Sequence, residues 1–239
     1  MKKFKPTYKP FGASTILIEW PSKIDEAIIR DIVVFEKSID KNRGILDTMI
    51  TYNALTIRYD CEIDFEEKVA DLKNVYKERR KYEVHDSKCW QIPVCYDMKF
   101  GLDLDEISRA KKLSMKEVIE LHTAPEYLIY FIGFQPGFLY LGGLNKKIHI
   151  PRKASPRLRV PKGSVGIGGE QTGVYPHESA GGWNILGKSP LDFFDASKPD
   201  PCFAKAGDRI KFEPIDVDEF HEIEAAVQDG SFELKNQSL

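Results

Sequence analysis

The chain has 239 residues, 42% of them hydrophobic, enough for a real core in one large domain or two small ones. Its 35 basic and 37 acidic residues leave a formal net charge of −2, which gives no reason to expect nucleic acid or an anionic membrane surface as a partner. No run of about 18 apolar residues is present, no apolar segment follows the lysines of MKKFKPTYKPFG, and Cys61, Cys89, Cys95 and Cys202 show neither CxxC spacing nor a zinc-type histidine pair, so the chain reads as a cytoplasmic protein with reduced thiols.

Phe4–Pro10 and Ser14–Trp20 predict two strands with Phe11-Gly12 as the turn. Ile24, Ala27, Ile28, Ile32, Val33 and Phe35 make a helical stripe within Ser22–Asn42, and Gly44 ends it. Ile45–Tyr59 reads as two strands broken at Asn53. Asp64–Arg80 reads as a second helix with Val69, Leu72, Val75 and Tyr76 on its apolar face. This order predicts a small α+β domain over residues 1–84, with helices on one face of an antiparallel sheet. The charged run Lys77–Lys88 has no clear period and holds the domain boundary.

Residues 85–239 restart with a strand at Trp90–Tyr96. Leu104–Lys111 and Met115–His122 predict short helices, the second with a capping box of Ser114 and Glu117. Tyr127–Phe134 is almost wholly apolar, as in a strand buried on both faces. Short strands and turns follow to Phe212, then a helix at Val217–Ala226 and a fraying tail. This half predicts a β-rich barrel or sandwich with a helical insert.

Most of the glycines fall within Phe131–Phe194, among aromatic and strand-forming residues, which predicts demanding turns held on a sheet. VPKGSVGIGG could offer backbone N–H groups to an anion, but it matches neither GxxxxGK[ST] nor GxGxxG. Tight-turn glycines, or a wall needing close backbone approach, are the other readings. Arg152 and Arg157 lie beside prolines in PRKASPR, and a stiff backbone suits arginine recognition of carboxylate or phosphate as well as a solvated rim. His122, at a helix end, reads more readily as a C-terminal helix partner than as a catalyst. Gln171, Thr172, Tyr175 and Trp183 can give a small polar ligand hydrogen bonds and an aromatic wall, or can pack a turn-rich core.

GFQPGFLYLGGL, IPRKASPRLRVPKGSVGIGGEQTGVYP and GGWNILGKSPLDFFD resemble the KipI/PxpB family. GASTILIEW and TYNALTIRYD extend the likeness over nearly the full length. The family is also described as allophanate hydrolase subunit 1, or the carboxyltransferase domain of its subunit 1. Gly168 stands where alanine is usual, Ala180 where proline is usual, and Lys188-Ser189 where Arg-Thr is common. The resemblance implies a cyclophilin-like β-barrel for the second half. It implies the B subunit of an ATP-dependent 5-oxoprolinase, which opens the lactam of 5-oxo-L-proline to L-glutamate while ATP becomes ADP and phosphate.

ATP with Mg2+ is the implied cofactor. The implied partners are two further 5-oxoprolinase subunits, one carboxyltransferase-like and one of LamB/YcsF type, with a homodimer as a further expectation. Arg152, Arg157 and the turn amides of Gly163 and Ser164 would hold the carboxylate or phosphate. Gln171, Tyr175 and Trp183 would shape the wall, and His122 would carry or position a proton. No metal-ligand set is expected. The alternative is a KipI-type inhibitor that binds a sensor histidine kinase and blocks its autophosphorylation. Allophanate hydrolysis lacks its amidase-type Ser-Ser-Lys region here.

Overall fold

The computed structural model describes residues 4–42, 44–79 and 87–238. The chain divides into two compact units, Met1–Asp86 and Ser87–Leu239. The boundary expected after residue 84 lies in 80–86, outside the described residues.

The first unit runs β1 (Thr7–Pro10), β2 (Thr15–Glu19), α1 (Glu26–Ser38), β3 (Ile45–Ile50), β4 (Ala54–Tyr59) and α2 (Phe65–Glu78). Its four strands form an antiparallel sheet in the order β1-β2-β4-β3. Alternation points Ile16 and Ile18 of β2, and Leu55, Ile57 and Tyr59 of β4, into one core. Ile28, Ile32 and Phe35 of α1 and Val69, Leu72 and Tyr76 of α2 complete it, so both helices cover one face as expected. Helix α1 starts later than Ser22, because the Asp25 carboxylate caps it by accepting the Ala27 N–H at 2.9 Å. Ile24, counted in the stripe, is consequently exposed.

The second unit runs β5 (Lys88–Cys95), α3 (Leu104–Lys111), α4 (Met115–Thr123), β6 (Glu126–Ile132), β7 (Leu139–Gly142), β8 (Arg157–Val160), β9 (Ser164–Gly168), β10 (Gln171–Val174), β11 (Ser179–Gly181), β12 (Asn184–Lys188), β13 (Arg209–Ile215), α5 (Val217–Asp229) and β14 (Asn236–Ser238). Seven strands close a barrel in the circular order β5-β12-β9-β10-β7-β6-β13, sealed where Lys188 of β12 meets Cys95 of β5. Strands β5 and β13 pair in parallel, from Arg209↔Cys89 to Ile215↔Cys95. A parallel pair needs a long connection, and here most of the barrel and its helices supply it. The tail does not fray after α5: β14 adds to β5 in antiparallel register, Asn236↔Trp90. Strands β8 and β11 form a separate two-stranded ribbon.

Candidate functional site

Strands β9 and β10 have two unlike faces. Val165, Ile167 and Val174 join the barrel core. Gly166, Gly168, Gln171 and Gly173 alternate with them and face outward. One cross-strand row on this outer wall reads Tyr140, Gly173, Gly166, Ile185. Its two central glycines, with Gly168, make a trough that the Trp183 indole occupies. A Cβ would lie 3.3 Å from Trp183 Cβ at Gly166, 2.9 Å from its Cδ1 at Gly168, and 3.0 Å from its Cζ3 at Gly173. Close approach by the indole is what Gly168 allows, while Gly173 also admits the Leu139 carbonyl, 2.6 Å from where its Cβ would lie.

Aromatic rings frame the trough. Phe138 and Tyr140 meet Trp183 edge-on at 5.5 and 5.9 Å, and Phe131 stacks on Tyr140 at 4.3 Å. Tyr175 is buried beneath, edge-on to Phe138 at 5.1 Å, and burial raises its phenol pKa. Tyr175 thus packs the platform and does not line an open wall. Phe134 stands 67% exposed at φ +65°, a left-handed conformation uncommon for a bulky residue. Gln171 opposes Gly168 on the outer side.

The Arg152 guanidinium lies 5.6 Å from the Trp183 ring centroid, within cation–π range. Its charged neighbours are otherwise engaged. Arg157 binds Asp103 through two bonds of 2.8 and 2.6 Å. Lys153 Nζ donates to Asp103 and to Glu106, both at 2.8 Å. Arg159 pairs with Glu178 at 3.7 Å and Lys162 with Asp192 at 2.5 Å. Among these five cations, only Arg152 has no carboxylate partner in the described residues. Asp103 is 2% exposed; burial alone would raise its pKa, but hydrogen bonds from Arg157, Lys153 and the Ile185 N–H hold it below its ordinary value.

The other expected site residues are engaged within the protein. Arg157 spends one N–H of each Nη on Asp103, so its charge is already paired within the protein. The Gly163 N–H donates to Tyr175 O at 2.8 Å, and the Ser164 N–H to Pro161 O at 3.2 Å, so neither turn amide is free for phosphate. His122 is wholly buried inside the barrel, stacked on Phe212 at 4.8 Å. Its Nδ1 meets Tyr96 Oη at 2.8 Å and its Nε2 meets Thr172 Oγ1 at 2.8 Å. Burial drops its pKa to about 3. A ring so placed cannot reach a ligand while the barrel stays closed.

The structure therefore brings Arg152, Trp183 and Gln171 to one outer wall and sends His122 to the opposite side of the same strands. Sequence reasoning missed Tyr140, Phe131 and Asp103. The alternation of FLYLGG carried a signal for Tyr140, and none marked Asp103 as the partner of a residue 54 positions on. A cavity of about 240 Å³ in the first unit, lined by Ser38, Asp40, Tyr59 and Asp71 among others, holds none of the expected site residues. Among the described residues, no group of three or more His, Cys, Asp or Glu side chains is arranged to hold a metal ion, and no helix is long and apolar enough to cross a membrane.

Comparison with known proteins places this architecture. The family model for the carboxyltransferase domain, subdomain C and D, matches residues 6–204, and the chain belongs to that family. A Bacillus subtilis relative, named as the B subunit of 5-oxoprolinase, is 36% identical over 230 residues, covering 88% of this chain and 93% of the relative. A Haemophilus influenzae relative of the same name is 36% identical over 203 residues, covering 85% and 95%. These relatives bear out the KipI/PxpB likeness of the motifs. The solved structure of TTHA0988 superposes with a TM-score of 0.74 at 32% identity, over 84% of this chain but only 40% of that one. The Kluyveromyces lactis urea amidolyase shares the fold at TM-score 0.78 and 18% identity, over 98% of this chain and 16% of that one.

Proposed function

We propose that this chain is the cytoplasmic B subunit of an ATP-dependent 5-oxoprolinase, and that Arg152 over Trp183 receives the substrate carboxylate. The family membership supports the subunit role, and the names of the relatives weigh toward it and away from the histidine-kinase inhibitor. The observation that carries the site is Arg152 itself, an exposed guanidinium held over an indole with no carboxylate partner among the described residues. 5-Oxo-L-proline presents one carboxylate and one nearly flat lactam. A guanidinium fork suits the first, and an aromatic surface such as Phe131 and Tyr140 suits the second.

A lactam carbonyl is a poor electrophile, and phosphorylation of its oxygen makes a better one. The Gly163–Ser164 turn has spent its N–H groups, so it does not fit a phosphate. ATP with Mg2+ would be held by the carboxyltransferase-like and LamB/YcsF-type partners. Gln171 would border the ligand, while Arg157, Tyr175 and His122 would support the wall from behind. Whether the assembly contains this chain as a homodimer follows from its mass.

The test is 5-oxoproline-dependent ADP release by the reconstituted three-subunit mixture, with and without this chain. Release that needs the chain, and falls at least about tenfold with Arg152→Ala, is the expected result. Turnover independent of the chain, with the partners folded and associated, overturns the subunit role.

A further inference from the structure

Arg152 is fixed over Trp183 from both ends of its own short segment. On one side, Ile150 and Gly169 exchange backbone bonds, Gly169 N to Ile150 O at 2.6 Å and Ile150 N to Gly169 O at 3.2 Å. On the other, the Lys153 N–H donates to Gly182 O at 2.7 Å, immediately before Trp183. The Lys153 ammonium then reaches Asp103 at 2.8 Å. The same carboxylate accepts the Ile185 N–H at 2.7 Å, two residues past Trp183, and both Nη atoms of Arg157. Asp103 also donates its own N–H to Ile185 O at 2.9 Å. One buried side chain, carried at the start of α3, thus bonds the loop that carries Arg152, the strand that follows Trp183 and strand β8.

We propose that Asp103 is a positioning residue: it sets Arg152 over Trp183, and it absorbs Lys153 and Arg157 so that Arg152 is the cation left for a carboxylate ligand. This rests on the reading of Arg152 given above. A buried carboxylate with this many charged donors is over-determined in position, and its partners inherit that rigidity. Asp103 touches no ligand in this scheme; it acts through the loop.

The test uses the full chain labelled with 15N at tryptophan, and the reconstituted complex. Because Asp103→Asn leaves Arg157 half-buried and poorly paired and could unfold the unit, Lys153→Met is the second variant. It cuts the loop's side-chain tie while leaving the Asp103–Arg157 pair. In both variants the Trp183 indole resonance should shift while those of Trp20 and Trp90 stay in place. KM for 5-oxoproline should rise about tenfold with kcat changed less than about threefold. The double variant Arg152→Ala/Lys153→Met should be no worse than Arg152→Ala alone, since Lys153 acts through Arg152. A folded Lys153→Met protein with an unmoved Trp183 resonance overturns the proposal, as does a double variant whose KM defects multiply. A shifted resonance with KM unchanged in both Lys153→Met and Arg152→Ala leaves the clasp standing and refutes the carboxylate site instead.

Discussion

His122 takes part in a hydrogen-bond chain that runs in one direction. The Thr172 hydroxyl donates to Gly166 O at 3.0 Å, so Thr172 must accept from the ring Nε2–H, and Nδ1 is left to accept from Tyr96. The ring is neutral and fully used. Adding a proton would set a second donor against the Tyr96 hydroxyl in a dry interior, and burial accordingly lowers the pKa to about 3 from the ordinary 6.5. The sign of the linkage follows. The folded state favours the neutral ring, so this contribution is complete above pH 6.5 and is lost as pH falls toward 3. Each unit of pH in that window costs about 1.4 kcal/mol. Urea unfolding of the wild type should show a loss of roughly 2 kcal/mol between pH 6.5 and 5 that is absent from His122→Gln. Parallel pH profiles for the two proteins would show that the ring does not titrate this way.

At the scale of elements, glycines that look alike in sequence have different tasks. Gly163 and Gly169 both sit at positive φ, +79° and +65°, where any Cβ is strained. At Gly163 that Cβ would also stand 2.2 Å from Ser189 O, a backbone atom that cannot yield without moving the β12 end; at Gly169 nothing lies within 4 Å. Gly169→Ala should therefore cost about 1 kcal/mol in denaturant midpoint analysis, and Gly163→Ala at least about 3 kcal/mol or outright loss of folding. Equal costs would mean that the Gly163 turn relaxes. The sequence allowed turn glycines and a close-approach wall but could not say which was which, because Ser189 and Trp183 arrive from the two flanks of β12. What is local was readable: α3 spans Leu104–Lys111 as expected, and the Ser114–Glu117 capping box is formed. What depends on a distant partner was not. Nothing near Arg157 marked Asp103, far upstream, as its partner, and the exposed NQS of β14 has no apolar alternation to announce a strand.

At the scale of the molecule, the two units have separate cores, and the first is organised around a buried charge that the sequence did not reveal. Asp31 of α1 looks like one more polar residue on a helix, yet it is fully buried. It accepts from Trp20 Nε1 at 2.8 Å, from the Tyr76 hydroxyl, and from Arg79 Nε and Nη2 at 2.9 and 2.6 Å. Arg79 also donates to Tyr76 O at 2.5 Å and lies 3.5 Å over the Tyr76 ring. The carboxylate thereby fastens α1, the end of β2 and the last turn of α2 together. Removing one member leaves the others charged or unpaired in a dry site, and breaking such a pair costs about 3–5 kcal/mol, whereas replacing the whole set by apolar residues need not. Asp31→Asn should therefore strip hydrogen-exchange protection from α1, β2 and β4. The amides of β9 and β10, held by a different core and by the Thr172–Gly166 bond, should keep theirs. Loss of protection in both units together would mean that they unfold as one and that the buried charge of the first underwrites the barrel as well.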